Sequence, residues 1–293
     1  MKKIAILITI FTLLYCDIQF KPIIALSYLS TGSDFQPVNK DIKIFGAGLG
    51  AVYELGHLYI AAEFNNHRAN GVNDRNQLHT FNSNQGLSWG QSPGEAKNSF
   101  DYDFADLDVR YETRNGELFF GKINPQWGAG HSKLVLSNKS PSFPLFGFNW
   151  QVNETLLMEY FHGDLKSEIK DVIYSEYYID VGDTTLISNF SYDVKRNIAA
   201  HKFELQLNDK LKFIGSETVI YGVRGMDIHY LIPFIPFWSL QHYLGDTDNI
   251  QMAGEVIYSP SSRLKIYGTI FMDEWAPEKT FDDDNHNWFA YQG

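Results

Sequence analysis

The chain has 293 residues, a formal net charge of -11 at pH 7, 44% hydrophobic residues and 15% aromatics, including 17 Tyr and 22 Phe. That acidity excludes a general nucleic-acid-binding surface, and no run beyond the amino terminus reaches the ~20 apolar residues of a membrane helix. An aromatic-rich chain without such helices fits a secreted β-sandwich, or a barrel that shows alternate residues to lipid between aromatic girdles.

In chain order, Lys2 and Lys3 precede an apolar run from Ile4 to Tyr15, which reads as an export signal over residues 1–25 with cleavage after Ala25. Residues 26–293 follow as one domain. Cys16 closes Leu13-Leu14-Tyr15-Cys16, a loose lipidation box that gives a lipoprotein alternative. It is the single Cys, so its loss with the signal leaves neither a disulfide nor a thiolate metal site. Gly46-Ala47-Gly48-Leu49-Gly50 lies in strand-like sequence with no helix after it. A phosphate cradle therefore fails its context, and the glycines predict curvature or a close neighbour.

Leu58, Ile60, Ala62 and Phe64 alternate with His57, Tyr59 and Glu63, the period of a half-buried strand. Asn65 to Phe100 reads as a polar surface loop. Leu107, Val109 and Tyr111 alternate with Asp106, Asp108, Arg110 and Glu112, while Tyr102 and Phe104 fall out of phase, which predicts a bulge near Ala105. Asn115-Gly116 then predicts a hairpin into Leu118. A loop from Asn124 to Phe148 holds Trp127 between Gly128 and Gly130, an apolar triplet Leu134 to Leu136, and the breakers Ser137, Asn138, Pro141 and Pro144.

Phe203, Leu205 and Leu207 alternate with Lys202, Glu204 and Gln206, and Asn208-Asp209 turns into a strand running towards Tyr221. Gly222 to Thr247 is a third long connector. Its apolar part, Tyr230 to Tyr243 with Pro233 and Pro236, predicts a short helix packed in a lumen or at a rim. Met252 to Tyr258 and Leu264 to Met272 form a last hairpin about Ser261-Ser262. Short turns at one rim and long loops at the other suit strands of about ten residues that cross a bilayer. No internal repeat is read. Asp282 to Asp284 reads as a solvated acidic loop. The chain stops at Asn287–Gly293 as if in mid-strand, and a barrel with an unpaired last strand leaves an open edge in lipid; an incomplete barrel is the expectation.

Catalytic motifs are lacking. Glu204, Glu217, Glu255, Asp273 and Glu274 lie on strands, where a water-filled lumen explains them better than a glycosidase pair. His229 and His242 share a loop without ligand spacing, so no catalytic residue, metal or cofactor is assigned. The loops suit sugar recognition, which needs an aromatic face and several donors and acceptors. One offers Trp127, His131, Lys133 and Asn138; the other offers Arg224, Trp238, Gln241, His242 and Asp248, with Asp227 and Asp246 nearby. Against this, Trp127 and Trp238 serve equally to pack their loops, with Arg224 paired to Asp227 or Asp246.

The order Trp127-Gly128-x-Gly130, Leu134-x-Leu136-Ser137-Asn138, Phe143-Pro144, with a second block from Phe237-Trp238-Ser239 to Asp248-Asn249 and strands ending in Tyr267 and Met272-Asp273-Glu274, resembles the capsule assembly Wzi family of Gram-negative outer-membrane proteins. The resemblance runs from about residue 44 to 293. It implies an all-β fold, a transmembrane antiparallel outer-membrane β-barrel with long loops and short helical insertions at one rim. Full-length relatives would have roughly 16–18 strands and this chain fewer. It also implies a monomer at the cell outer membrane, not an enzyme, that holds capsular or other surface polysaccharide without bond cleavage. Lys133 and Arg224 would then meet an anionic polymer. Ala129, Lys139 and Ser142 depart from the family pattern, where ligand choice would lie. The partners are polysaccharide and outer-membrane lipid, with no nucleic acid. A channel or export pore is the first rival, and a surface glycan hydrolase the second.

Overall fold

The two-residue rhythm becomes thirteen strands and one α-helix in a computed structural model that describes residues 18–30, 41–71, 89–91, 99–138, 140–167, 169–171, 193–273, 275 and 288–293. Among the described residues these strands pair antiparallel, so the expected all-β antiparallel fold is the observed one. The chain divides into two compact units.

The first unit runs to Trp127 and includes Leu136–Phe143. It contains β1 (Ile18–Ser30), β2 (Asp41–Leu55), β3 (Leu58–Asn70), β4 (Trp89–Gln91), β5 (Ser99–Thr113) and β6 (Gly116–Ile123). β1, β2, β3, β5 and β6 are neighbours in that order, and β4 pairs with β5 at Asp101–Asp103. The second unit comprises Gly128–Val135 and Pro144–Gly293. Its strands are β7 (Phe143–Gln151), β8 (Leu156–Leu165), β9 (Arg196–Asn208), β10 (Leu211–Gly222), β11 (Asn249–Ser261), β12 (Leu264–Asp273) and β13 (Trp288–Gln292), each paired with the next. Helix α1 (Phe237–Leu244) and a 3-10 turn (Ile228–Leu231) lie between β10 and β11.

Directly opposed residues share a face, so the registers sort the side chains. In the first unit Ile24, Leu26, Phe45, Leu49, Phe64, Tyr111, Leu118 and Phe120 point one way, and this apolar face is the exposed one: Ile24 is 76% exposed and Leu26 75%. The opposite face carries Glu63, Asn65, His67, Asp108, Arg110 and Glu117, with Asn65 and His67 buried. In the second unit Leu205, Leu207, Phe213, Val256, Tyr258, Ile266 and Ile270 form the exposed apolar face. The other face holds the chain Glu159–Lys202–Glu204–Lys212, with contacts of 2.8, 3.0 and 2.8 Å.

The glycine run on β2 answers to close approach. A Cβ on Gly46 would overlap the His67 ring, and one on Gly48 would overlap Asn65. Asn65 in turn donates to Glu63, while His67 stacks on Tyr102 with ring centroids 5.0 Å apart. Tyr102 thus belongs to the polar face by stacking. The β3–β5 register runs without a break from Leu58↔Tyr111 to Asn70↔Ser99, so the expected bulge at Ala105 is absent: the chemistry of the face changes there, not the backbone.

Other expectations shift in extent. β3 reaches Asn70 and β5 begins at Ser99, so both ends of the expected 65–100 loop are strand, and β7 begins at Phe143 inside the expected 124–148 loop. Ile18–Ala25, assigned to the export signal, pairs with Gly46–Tyr53 as the first part of β1. A boundary at residue 25 would divide that strand. Asp282–Asp284, Lys139 and Glu274 lie outside the described residues.

A short repeat also escaped the sequence reading. Gln151-Val152-Asn153-Glu154-Thr155-Leu156 and Gln206-Leu207-Asn208-Asp209-Lys210-Leu211 make the turns between β7 and β8 and between β9 and β10. In each, the Asn Oδ1 accepts two backbone N–H groups two and three residues on, at 2.9 and 3.0 Å and at 3.0 and 3.1 Å. In each, the Gln Nε2 donates at 2.6 Å to that Asn carbonyl. One Gln-x-Asn device closes both hairpins.

Replacing Gly46 by Ala should cost about 1–3 kcal/mol by overpacking. His67→Ala, which removes the ring beneath it, should restore part of that loss in the double variant. Urea unfolding in micelles measures both.

Candidate functional site

The two long described connectors fold back onto sheet faces. Trp127 and Leu136 exchange backbone hydrogen bonds of 3.2 and 3.0 Å, and Trp127 is 2% exposed, so its ring face is closed to a ligand in this conformation. Between them Gly128 takes φ +138°, a conformation that favours glycine, and its carbonyl accepts from Lys133 Nζ at 2.9 Å. His131 is exposed and Asn138 half-buried.

The Gly128–Val135 stretch lies on the polar face of the second unit. Ala129 N–H donates to Glu255 Oε2 at 2.6 Å, and Lys265 Nζ donates to the Ala129 carbonyl at 2.9 Å. Adjacent strands thus hold one residue's backbone by opposite charges, which are strong hydrogen-bond partners. Thr269 Oγ1 also donates to Glu255, at 3.1 Å, and Gln292 Nε2 donates to the Ser132 carbonyl, at 2.8 Å. Glu255, expected only as one of several lumen acids, is buried.

The segment after β10 is closed by a charged clasp. Arg224 Nη1 and Nη2 donate to the two oxygens of Asp248 at 2.9 and 2.5 Å, and its Nε donates to Asp227 at 3.0 Å. The Asp248 side chain is 1% exposed and accepts from the Tyr230 hydroxyl at 2.7 Å. Gln241 Nε2 donates to the Asp248 carbonyl at 2.7 Å. Arg224 also lies over the Tyr221 ring, 4.7 Å from its centroid, a favourable place for a cation. Of the expected sugar contacts, Arg224, Gln241 and Asp248 therefore meet, and they bind one another. Trp238 and His242 sit apart on α1, with ring centroids 4.5 Å apart and His242 exposed. His242, not Arg224, pairs with Asp246, at 3.3 Å.

The hydrogen bonds to Asp248 push the Arg224 guanidinium above its ordinary range, against partial burial. Burial alone would raise Asp227, but the N–H and ring of His229 and the Arg224 side chain hold it below its ordinary 3.8. Burial, then the Asp248 bond, raises Tyr230. A guanidinium so engaged has little left to offer an anionic polymer.

Of the residues beneath the segment, Glu217 was expected among lumen acids but lies on the apolar face, and Tyr160, His162 and His201 had no expected role. Tyr160 donates to the Tyr230 carbonyl at 3.0 Å, and His201 donates through Nδ1 to the Pro233 carbonyl at 2.8 Å. Glu217 Oε2 lies 2.9 Å from His201 Nε2 and accepts the Phe237 N–H at 2.7 Å. Tyr221 accepts the Asp227 N–H at 2.9 Å and lies 2.6 Å from His162 Nε2. These polar groups share a face with Met158 and Val219, and Tyr230, Phe237 and Leu240 pack on it. Helix α1, expected in a lumen or at a rim, thus seats on the face whose far end is the exposed apolar one, not on the charged face. Proximity of 201 to 217 follows from the β9–β10 register, which alternation could have supplied; their partners in the loop could not be read locally.

No family model matches the chain, and no curated protein does. Among solved structures it is similar to Pseudomonas aeruginosa OccK8 (OprE), at 12% identity and TM-score 0.38, covering 88% of this chain and 68% of that one. It is also similar to Acinetobacter baumannii OccAB3, at 13% identity and TM-score 0.33, covering 88% and 67%. Pseudomonas aeruginosa OccK9 (OpdG) matches at 10% identity and TM-score 0.34, covering 94% and 70%. Likeness at this level does not set a function, which rests on the chain's own faces.

Asp248→Ala strands Arg224 and Tyr230 and should cost about 1–3 kcal/mol, the scale for removing one partner of a charged hydrogen bond that keeps some water contact. Because the folded value of Asp227 is depressed, its stabilisation is complete above the ordinary 3.8 and is lost as pH falls through the lower folded value. Resistance to urea unfolding in micelles should fall over that acid interval, and Asp227→Asn should remove this part of the pH dependence.

Proposed function

We propose that each unit supplies a stretch of outer-membrane β-barrel wall, and that the protein is a passage for polar solutes across the outer membrane. One observation carries this: the exposed sheet face is the apolar one, and the Asp108–Arg110–Glu117 and Glu159–Lys202–Glu204–Lys212 groups lie on the other. A water-soluble sheet has the opposite arrangement, whereas a membrane barrel turns apolar residues to hydrocarbon and polar ones to a lumen. The dimensions support it. On β2 the outward residues from Phe45 to Tyr53 span about 27 Å along the strand, or about 20 Å of height at a ~40° tilt, near the ~25 Å apolar band of such barrels. Lys43 lies beyond one end of the band, and the facing Arg68–Asp101 pair, at 2.6 Å, ends it on β3 and β5. Tyr53 and Tyr111 near the short turns of the first unit, and Trp150 and Tyr258 near those of the second, suit an interfacial girdle.

The Gly128–Val135 stretch, held to the polar face by Glu255 and Lys265, then narrows the passage. Retention of a surface polysaccharide, implied by the motif resemblance, is the second reading; the exposure of His131 and His242 supports it. Planar bilayers containing the full-length chain should show discrete conductance steps. Glu255→Gln with Lys265→Met should release the stretch and enlarge the steps. No conductance, together with capsule binding that falls on His131→Ala and His242→Ala, would put the second reading first.

A further inference from the structure

Apart from the Arg224 clasp and from Ser239 and His242 on α1, residues 223–244 present apolar side chains both to the sheet and outward. Tyr230, Phe237 and Leu240 are buried against the sheet. Ile228, at 71% exposure, and Phe234, at 60%, face outward, as do Met226, Ile232 and Tyr243. A surface loop in water has no use for an apolar exterior over an apolar interior. Much of the backbone is also served without water. The N–H groups of Tyr230, Ile232, Ile235 and Phe237 all have acceptors, Pro233 and Pro236 have no N–H, and the carbonyls of Tyr230 and Pro233 are served by Tyr160 and His201. Irregular chain beside hydrocarbon needs that accounting. The polar residues on this otherwise apolar face supply it.

Under the outer edge of the segment lies a cavity of about 400 Å3. Phe234 and Pro236 roof it, and Phe203, Met252 and Met272 wall it. Its floor is Gly215 opposite Gly254, and a Cβ at Gly215 would meet nothing within 4 Å. The polar groups at its inner end are already engaged. Both ring nitrogens of His201 have partners, and Glu217 takes the ring and the Phe237 N–H. The cavity therefore offers chiefly hydrocarbon contact, with Glu217 Oε1, which neither of those bonds uses, at its inner end. Ile270, at its margin, belongs to the exposed apolar face that continues through Phe213, Val256 and Ile266.

We propose that this cavity is a groove for one acyl chain of an outer-membrane lipid, opening sideways from the wall under residues 223–244. The assignment rests on the membrane reading above: with that face in hydrocarbon, the groove is continuous with the lipid phase and an acyl chain is its natural occupant. Van der Waals packing along the two glycines would hold the chain.

The test uses the full-length chain inserted into phosphatidylethanolamine vesicles with brominated acyl chains, then extracted in mild detergent and weighed by native mass spectrometry. One retained brominated lipid per chain is expected. Gly215→Leu, which fills the groove, should lower retention about tenfold, the loss of roughly two buried methylenes. Gly268→Leu places the same bulk on the same face outside the cavity and should retain the lipid. Met252→Trp fills the groove from the neighbouring strand and replaces Gly215→Leu should that variant not insert. Equal retention in wild type and filled variants, equal loss in Gly268→Leu, or detergent alone in place of lipid would overturn the groove while leaving the membrane reading intact. Failure of the wild-type chain to enter vesicles would overturn the membrane reading itself.

Discussion

In an antiparallel ladder the backbone of each strand is consumed by its neighbours, and the residues left free to vary are sorted onto two faces by parity alone. A slip of one residue would carry Phe45 and Leu49 to the side of Gly46 and Gly48, and His67 would lose the space that those glycines leave it. Register and polarity are therefore a single constraint. The stacked His67–Tyr102 pair and the Glu159–Lys202–Glu204–Lys212 chain can exist only in the register that also aligns the apolar belt.

The long connectors obey the same constraint. Each lies on a sheet face and each has its backbone satisfied by wall side chains, but with opposite chemistry. On the charged face, Glu255 and Lys265 grip Ala129. On the apolar face, the buried Tyr160 and His201 and the half-buried Glu217 serve the backbone of 230–237, since an unpaired buried amide or carbonyl is costly. Polar residues on an apolar strand face thus mark where a second layer of chain lies over it.

Alternation made most strands legible. Leu58 to Phe64, Leu107 to Tyr111 and Phe203 to Leu207 point as their spacing requires. β1 was missed because Ile23, Ile24 and Ala25 are consecutive apolar residues around Pro22 and merge with the export-like run before them. Tyr102 misled because an aromatic on a polar face resembles a change of phase. The prolines and apolar residues announced a short helix after β10, but not the face beneath it, which is set by residues far away in sequence. Asp227 and Asp246 were the partners expected for Arg224; Asp227 does pair with it, and Asp248 takes the place of Asp246. Asp246 sits in a left-handed conformation at φ 56° just past the helix, and the next strand buries Asp248 instead.

The twin Gln-x-Asn corners have a kinetic consequence. Each sets its own alignment within six residues, through side chains that travel with the corner. Two-strand ribbons can then close in microseconds, before any distant part of the polypeptide arrives. Such ribbons enter a growing wall already in phase, so that errors of assembly concentrate at the long crossings, where no comparable corner counts the residues.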